Sequence, residues 1–128
     1  MEPRIALIID DDAGVAEIYA EALRQAGFAT EIIQNGRLAQ RRLAQIIPAV
    51  VLLDLRLPEV SGEALLAAMK ADRRLARTRV IVATGESHRA EALQPLADLV
   101  LVKPVSYDQL AELAHRLRAA TGPLKDEE

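Results

Sequence analysis

The stretch Ile5-Ala6-Leu7-Ile8-Ile9, followed by Asp10-Asp11-Asp12, decides the fold of this chain. Three later apolar runs also end in a polar residue: Val50-Val51-Leu52-Leu53 before Asp54, Val80-Ile81-Val82-Ala83 before Thr84, and Leu99-Val100-Leu101-Val102 before Lys103. Strands that are apolar throughout are typical of parallel sheets covered on both faces. Because ligand sites in such sheets lie beyond the carboxyl ends of the strands, we expect these polar side chains to converge at one edge.

Helical spacing separates the strands, and a less apolar strand is predicted at Ala29–Ile33, on an edge of the sheet. The predicted inward-facing helix positions are Val15, Ile18, Tyr19, Ala22 and Leu23, then Ala39, Leu43, Ile46 and Ile47, then Leu65, Leu66 and Met69, then Ala90 and Leu93, and finally Leu110, Leu113, Ala114 and Leu117. Strand–helix alternation predicts an α/β, doubly wound five-stranded parallel sheet with helices on both faces.

Local signals set the helix ends. Asn35-Gly36 is expected to open the second helix and Pro48 to end it, whereas Ser61 caps the third. The fourth helix is short and breaks near Pro95, and the last begins at about Ser106.

Composition narrows the class of protein. The 128 residues, 51% of them hydrophobic, predict one domain over residues 1–121 and a short acidic tail over residues 122–128. The chain contains no cysteine, which excludes disulfides and cysteine metal sites, and its net charge of -3 argues against direct nucleic-acid binding. No segment has the pattern of a signal peptide or the length of a membrane span, so we expect a cytoplasmic chain without membrane contact.

The acidic triplet after the first strand indicates a cation site. Neighbouring carboxylates repel each other, and a hard divalent ion such as Mg²⁺ relieves that repulsion through oxygen ligands. The alternative is a solvated turn or a helix cap, and Asp12 in particular could be a cap.

Asp54 ends the most apolar run, which we expect at the centre of the sheet. A carboxylate there can attack phosphorus and form an acyl phosphate. The metal, the Lys103 ammonium and the Thr84 hydroxyl could then each take one phosphoryl oxygen. The alternative for Asp54 is a helix cap, but Pro58 and Ser61 place the next helix start several residues later.

These residues resemble the receiver domain of two-component response regulators, over about Arg4 to Ala120. The pattern of that family is matched by an acidic pair, a phosphoacceptor with Pro and Gly at fixed offsets, a hydroxyl residue and a Lys-Pro: Asp10, Asp11, Asp54, Pro58, Gly62, Thr84, Lys103 and Pro104. The resemblance implies the flavodoxin-like strand order 2-1-3-4-5.

The resemblance also implies a function. A sensor histidine kinase or phosphotransfer protein would phosphorylate Asp54, and the domain would then act on a downstream protein, with a homodimer as a further option. Asp11 would bind Mg²⁺ directly and Asp10 through water, while Asp54 and the backbone carbonyl of Arg56 complete the ligands. The Lys103-Pro104 bond would be cis.

The chain departs from the family at its switch position. The family usually has Tyr or Phe three residues before the lysine, and this chain has Val100, which cannot serve as an aromatic rotor. Arg56 and Glu86 occupy positions that face the attacking water in the family. We hypothesise that Arg56 and Glu86 approach each other over the site and restrict that water.

Two other functions compete with this interpretation. A haloacid-dehalogenase-like phosphatase would use Asp10-Asp11-Asp12 and Thr84-Gly85, but it needs a further acidic motif, and Asp108 and Glu112 fall within the last predicted helix. A pseudo-receiver would bind proteins without phosphorylation, which the valine at the switch position favours.

Overall fold

The computed structural model describes residues 4–120 of the chain. Its five strands form one parallel sheet in the order β2-β1-β3-β4-β5. Their bounds are β1 Ile5–Ile9, β2 Ala29–Ile33, β3 Val50–Asp54, β4 Arg79–Thr84 and β5 Leu99–Val102. The predicted flavodoxin-like order is confirmed, with β2 at an edge and the fully buried β3 at the centre. The predicted acidic tail lies outside the described residues.

Within residues 4–120, four α-helices connect successive strands and a fifth follows β5; their bounds are α1 Ala13–Gln25, α2 Gly36–Gln45, α3 Gly62–Ala71, α4 Ser87–Leu93 and α5 Tyr107–Ala120. The predicted starts of α2 and α3 are confirmed, because the side chains of Asn35 and Ser61 accept hydrogen bonds from the first turns of these helices. The fourth helix is short, as expected, and continues into a 3-10 turn at Gln94–Leu96. No helix among residues 4–120 has the length and apolar character needed to cross a bilayer.

Alternate residues along the strands pack into two separate hydrophobic cores, one on each face of the sheet. In β1, Ile8 packs with residues of α1 and α5, whereas Leu7 and Ile9 pack with residues of α2, α3 and α4. Helices therefore cover both faces, which explains why the strands are apolar throughout.

Two of the predicted inward positions are wrong. Ile18 is 51% exposed, because Ala16 and Ala20 occupy the buried face of α1 and turn Ile18 toward solvent. Ile47 is 59% exposed, because α2 ends at Gln45 and the chain is already extended at Ile46, two residues before Pro48. A proline favours extended backbone in the residue before it, so this helix ends ahead of the proline rather than at it.

The strand register places the carboxyl ends of the neighbouring strands at the same edge of the sheet. Ile9 lies beside Leu53, Asp54 beside Ala83, and Thr84 beside Val102. The residues that end or directly follow these strands therefore share one edge of the sheet. The polar residue after each of the four apolar runs lies at this edge.

Candidate functional site

A cavity of about 490 Å³ opens at this edge of the sheet. Its lining is strongly polar and consists of Asp10, Asp11, Asp12, Asp54, Leu55, Arg56, Glu63, Thr84, Gly85, Glu86, Arg89 and Lys103. The acidic, hydroxyl and ammonium groups predicted from the sequence thus line the same cavity.

Asp54 is the last residue of β3 and is 7% exposed. Its Oδ1 accepts a hydrogen bond from the backbone N–H of Arg56 at 3.2 Å, and its Oδ2 lies 3.5 Å from Lys103 Nζ. Gly62 permits this arrangement, because a Cβ there would lie 2.5 Å from the Cα of Leu55. The start of α3 can therefore close against the end of β3 and hold the carboxylate at the cavity.

The three aspartates of the acidic triplet differ in their contacts. Asp12 caps α1 by accepting a hydrogen bond from Val15 N at 3.1 Å, so the cap anticipated for this residue is present. The carboxylate oxygens of Asp10, Asp11 and Asp54 lie within 4.8 Å of one another. A hard oxygen donor set of this kind suits Mg²⁺, so the residues present fit a divalent cation.

Asp10 is the more buried member of the acidic pair, at 2% exposure. Burial raises the pKa of Asp10, and the neighbouring charge of Asp54 adds to the rise, although a hydrogen bond from Asp12 N at 2.9 Å and the nearby Lys103 oppose it. A cation in the acidic cluster would favour the ionised form of this carboxyl group.

Lys103 reaches the cavity from the end of β5. Its Nζ lies 3.4 Å from Asp10 Oδ2 and 3.5 Å from Asp54 Oδ2. Burial by itself lowers the pKa of Lys103, but the carboxylates of Asp10 and Asp54 outweigh it and leave that pKa raised. The ammonium therefore stays charged at neutral pH. The Lys103-Pro104 peptide bond is cis.

Thr84 ends β4 and is 5% exposed. Its hydroxyl oxygen accepts a hydrogen bond from the backbone N–H of Glu86 at 3.2 Å, and its backbone carbonyl accepts one from Lys103 N at 2.7 Å. These bonds hold the hydroxyl beside the loop that leads into α4.

Arg56 and Glu86 meet at the mouth of the cavity, where Arg56 Nη2 lies 3.4 Å from Glu86 Oε2. The contact proposed from the sequence therefore exists, although the Arg56 side chain is 84% exposed. Val100, the residue at the switch position, is partly buried against the core beneath α2, α3 and α4.

Sequence reasoning missed two charged residues of the cavity, Glu63 and Arg89. They form an ion pair that joins α3 to α4. An acidic residue in the first turn of a helix and an arginine in a short helix are common on any surface. Nothing in their spacing signals that the fold brings them together.

The sheet order and the acidic cavity define a class of protein, the flavodoxin-like α/β domains with an aspartate-rich site at the strand ends. The family model for the response regulator receiver domain matches residues 6–115. The chain belongs to this family, the receiver domains of two-component systems, as the sequence resemblance predicted.

Relatives and solved structures agree with this assignment. The chain is 35% identical over 113 residues to the regulatory protein AtoC of Escherichia coli K12, covering 86% of this chain and 24% of AtoC. It is 34% identical over 119 residues to the DNA-binding response regulator MtrA of Mycobacterium tuberculosis H37Rv, covering 92% of this chain and 52% of MtrA. The chain thus spans between about a quarter and about half of the length of these two relatives.

Among solved structures, the receiver domain of a putative Luxo repressor protein from Vibrio parahaemolyticus is 28% identical, with a TM-score of 0.82 over 99% of this chain and 97% of that one. The receiver domain of a signal transduction histidine kinase from Syntrophus aciditrophicus is 31% identical, with a TM-score of 0.79 over 91% of each chain.

Proposed function

We propose that this receiver domain accepts a phosphoryl group on Asp54 from the phosphohistidine of a sensor kinase or phosphotransfer protein, in a Mg²⁺-dependent reaction. One observation carries the proposal. The Asp54 carboxylate lies 3.5 Å from the Lys103 ammonium and within 4.8 Å of the carboxylates of Asp10 and Asp11. A nucleophile, a fixed cation and a set of metal ligands therefore share one cavity.

The transfer forms one bond and breaks one. An Asp54 oxygen attacks phosphorus, and the P–N bond breaks with its electron pair on the imidazole nitrogen of the donor. A donor ring that is protonated on its other nitrogen then leaves as neutral histidine. In the later hydrolysis step, water attacks phosphorus, the bond between phosphorus and the Asp54 oxygen breaks, and inorganic phosphate leaves. The Asp54 carboxylate is thereby regenerated.

The residues of the cavity have distinct roles in this proposal. Lys103 and the Thr84 hydroxyl neutralise two of the phosphoryl oxygens, because phosphoryl transfer depends mainly on positioning and charge neutralisation. Asp11, Asp54 and the carbonyl of Arg56 would hold Mg²⁺, with Asp10 acting through water. The bound ion would neutralise the charge on the remaining oxygen.

The output of the domain is proposed to be a protein contact rather than catalysis on a small molecule. MtrA is described as a DNA-binding regulator, but the match covers 52% of MtrA, and we assign no nucleic-acid contact to the present domain. A sensor kinase as donor implies a cytoplasmic chain, which agrees with the expectation from the sequence.

Acetyl phosphate and Mg²⁺ test the proposal, with intact mass as the readout. We expect the wild type to gain one phosphoryl group, and Asp54→Asn, or the wild type in excess EDTA, to gain none. Asp108→Asn is the matched control, because Asp108 is exposed on α5 and should leave the gain in mass intact. A wild type that gains no mass while folded would instead support the pseudo-receiver.

A further inference from the structure

Helix α4 is weakly fixed by its own sequence. It has seven residues, and only Ala90 and Leu93 are buried. Glu86 occupies its N-cap position without forming a side-chain cap hydrogen bond. Helices of this length are marginal unless tertiary contacts hold them, so a single polar contact can influence where α4 lies.

Arg89 provides such a contact. Its guanidinium pairs with Glu63 in the first turn of α3 and lies 3.9 Å from Glu86 Oε1. Arg89 and Glu63 are 40% and 37% exposed, and both line the same cavity as Asp54. The ion pair therefore ties α4 to α3, and both of its members line the cavity that contains Asp54.

The charge balance of the cavity makes this contact sensitive to phosphorylation. Its lining carries six carboxylates, namely Asp10, Asp11, Asp12, Asp54, Glu63 and Glu86, and three cations, namely Arg56, Arg89 and Lys103. A phosphoryl group on Asp54 adds negative charge and strong acceptor oxygens, which arginine binds well. These oxygens would compete with Glu63 for Arg89.

We propose that the Glu63–Arg89 ion pair is the phosphorylation-sensitive link between the cavity and α4. In the unmodified chain, Glu63 holds Arg89 and fixes α4 against α3. A phosphoryl group on Asp54 draws the Arg89 guanidinium into the cavity, and α4 moves with it. This link rests on the proposed function of Asp54, and it provides a route for the signal in a chain whose switch position carries Val100.

Amide NMR spectra of the nitrogen-15-labelled chain, recorded before and after adding Mg²⁺ and beryllium fluoride, test the link. We expect the wild type to show shifts both at the cavity, for example at Leu55, and along Ser87–Leu93. In Arg89→Met the cavity shifts remain and most of the α4 response is lost. In Glu63→Gln the α4 amides of the free chain already lie part of the way toward their positions in the loaded wild type.

Arg116→Met is the matched control, because it removes an exposed ion pair with Glu112 on α5 and should leave the α4 response unchanged. Wild-type α4 shifts that persist in full in Arg89→Met, together with an unchanged free spectrum of Glu63→Gln, would overturn the link alone. A wild type without any shift at the cavity would overturn the proposed function and the link together.

Discussion

At the residue scale, the carboxylates of the acidic cluster lie close together and repel one another when no metal is bound. Asp10 is the most buried of these carboxyl groups, and burial raises its pKa above the ordinary value of 3.8. The folded state therefore binds this proton more tightly than the unfolded state. As a consequence, the stability of the metal-free protein falls as the pH rises from that ordinary value through the raised pKa.

The first prediction concerns Asp10→Asn without metal. The variant should melt at a higher temperature than the wild type at neutral pH, because it removes a buried charge, and its melting temperature should depend less on pH across that window. Thermal unfolding in EDTA across a pH series measures both effects. Asp108→Asn should follow the wild type, and an Asp10→Asn variant that is no more stable than the wild type at neutral pH would contradict the cause assigned to the pKa.

The second prediction concerns the pair that Arg56 forms with Glu86 at the mouth of the cavity. If this pair restricts the attacking water, Arg56→Ala should speed loss of the phosphoryl group by about threefold, the scale of an exposed ion pair. The decay of phosphorylated protein, followed by intact mass, measures the rate. Arg37→Ala is the control, because Arg37 forms a comparable exposed pair with Glu59 at 2.9 Å. An unchanged decay rate in Arg56→Ala would refute the role.

The convergence of side chains could be predicted from the sequence where they lie at the strand ends, whereas their roles stay predictions. Asp54, Thr84 and Lys103 end or directly follow strands, and parallel pairing alone brings them together. Glu63 and Arg89 do not follow from the pattern, because their contact depends on where α3 and α4 lie relative to each other.

At the element scale, the loop after Asp54 is packed tightly against the start of α2. A Cβ at Gly36 would lie 1.9 Å from the backbone oxygen of Val60, and Gly36 N donates to the carbonyl of Pro58 at 3.0 Å. Sequence suggested Asn35-Gly36 only as a helix start. The close approach to Val60 requires the folded arrangement and could not be inferred from local signals.

The third prediction follows from this packing. Gly36→Ala should lower the free energy of unfolding by about 1–3 kcal/mol, because the added methyl group meets backbone that cannot move aside cheaply. Gly14→Ala in α1 should instead raise it by about 0.5–1 kcal/mol, because its nearest neighbour is Asp12 Oδ1 at 3.5 Å and alanine favours the helix. Urea unfolding of both variants measures the contrast, and equal effects would contradict it.

Helix starts could be predicted from local sequence, whereas the exposure of individual helix positions depends on packing in the folded chain. The cap at Ser61 and the helix start at Asn35-Gly36 could be predicted because a capping side chain acts within the first turn of its own helix. Ile18 was wrongly predicted to face inward, because the spacing of large hydrophobic residues does not show that Ala16 and Ala20 form part of the buried face of α1. Ile47 was wrongly predicted to face inward, because α2 was expected to continue to Pro48 but ends at Gln45.

At the scale of the whole molecule, the sheet order itself creates the acidic cavity. Placing β1 beside β3 brings Asp10 and Asp11 next to Asp54, and placing β5 at the far edge lets Lys103 reach across β4 to both acids. Strand–helix alternation predicted the class of fold. The particular order came from the family resemblance, because alternation alone permits several orders.

The fourth prediction tests the whole-molecule consequence of these ligands. Mg²⁺ at about 100 times its dissociation constant should stabilise the wild type by about 2.7 kcal/mol, because the folded state alone assembles the site. Asp11→Asn should lose most of this gain, and Asp72→Asn, on the short turn after α3, should keep it. Thermal unfolding with and without Mg²⁺ measures the effect, and an equal gain in Asp11→Asn would contradict the proposed ligand set.

The most direct test of the central claim identifies the atom that takes the phosphoryl group. Borohydride reduces an acyl phosphate of aspartate to homoserine, which peptide mass spectrometry locates in the chain. After treatment with acetyl phosphate and Mg²⁺, we predict homoserine at position 54 and none when Mg²⁺ is chelated. Homoserine at Asp10, Asp11 or Asp12 in place of Asp54 would contradict the account and favour the phosphatase alternative.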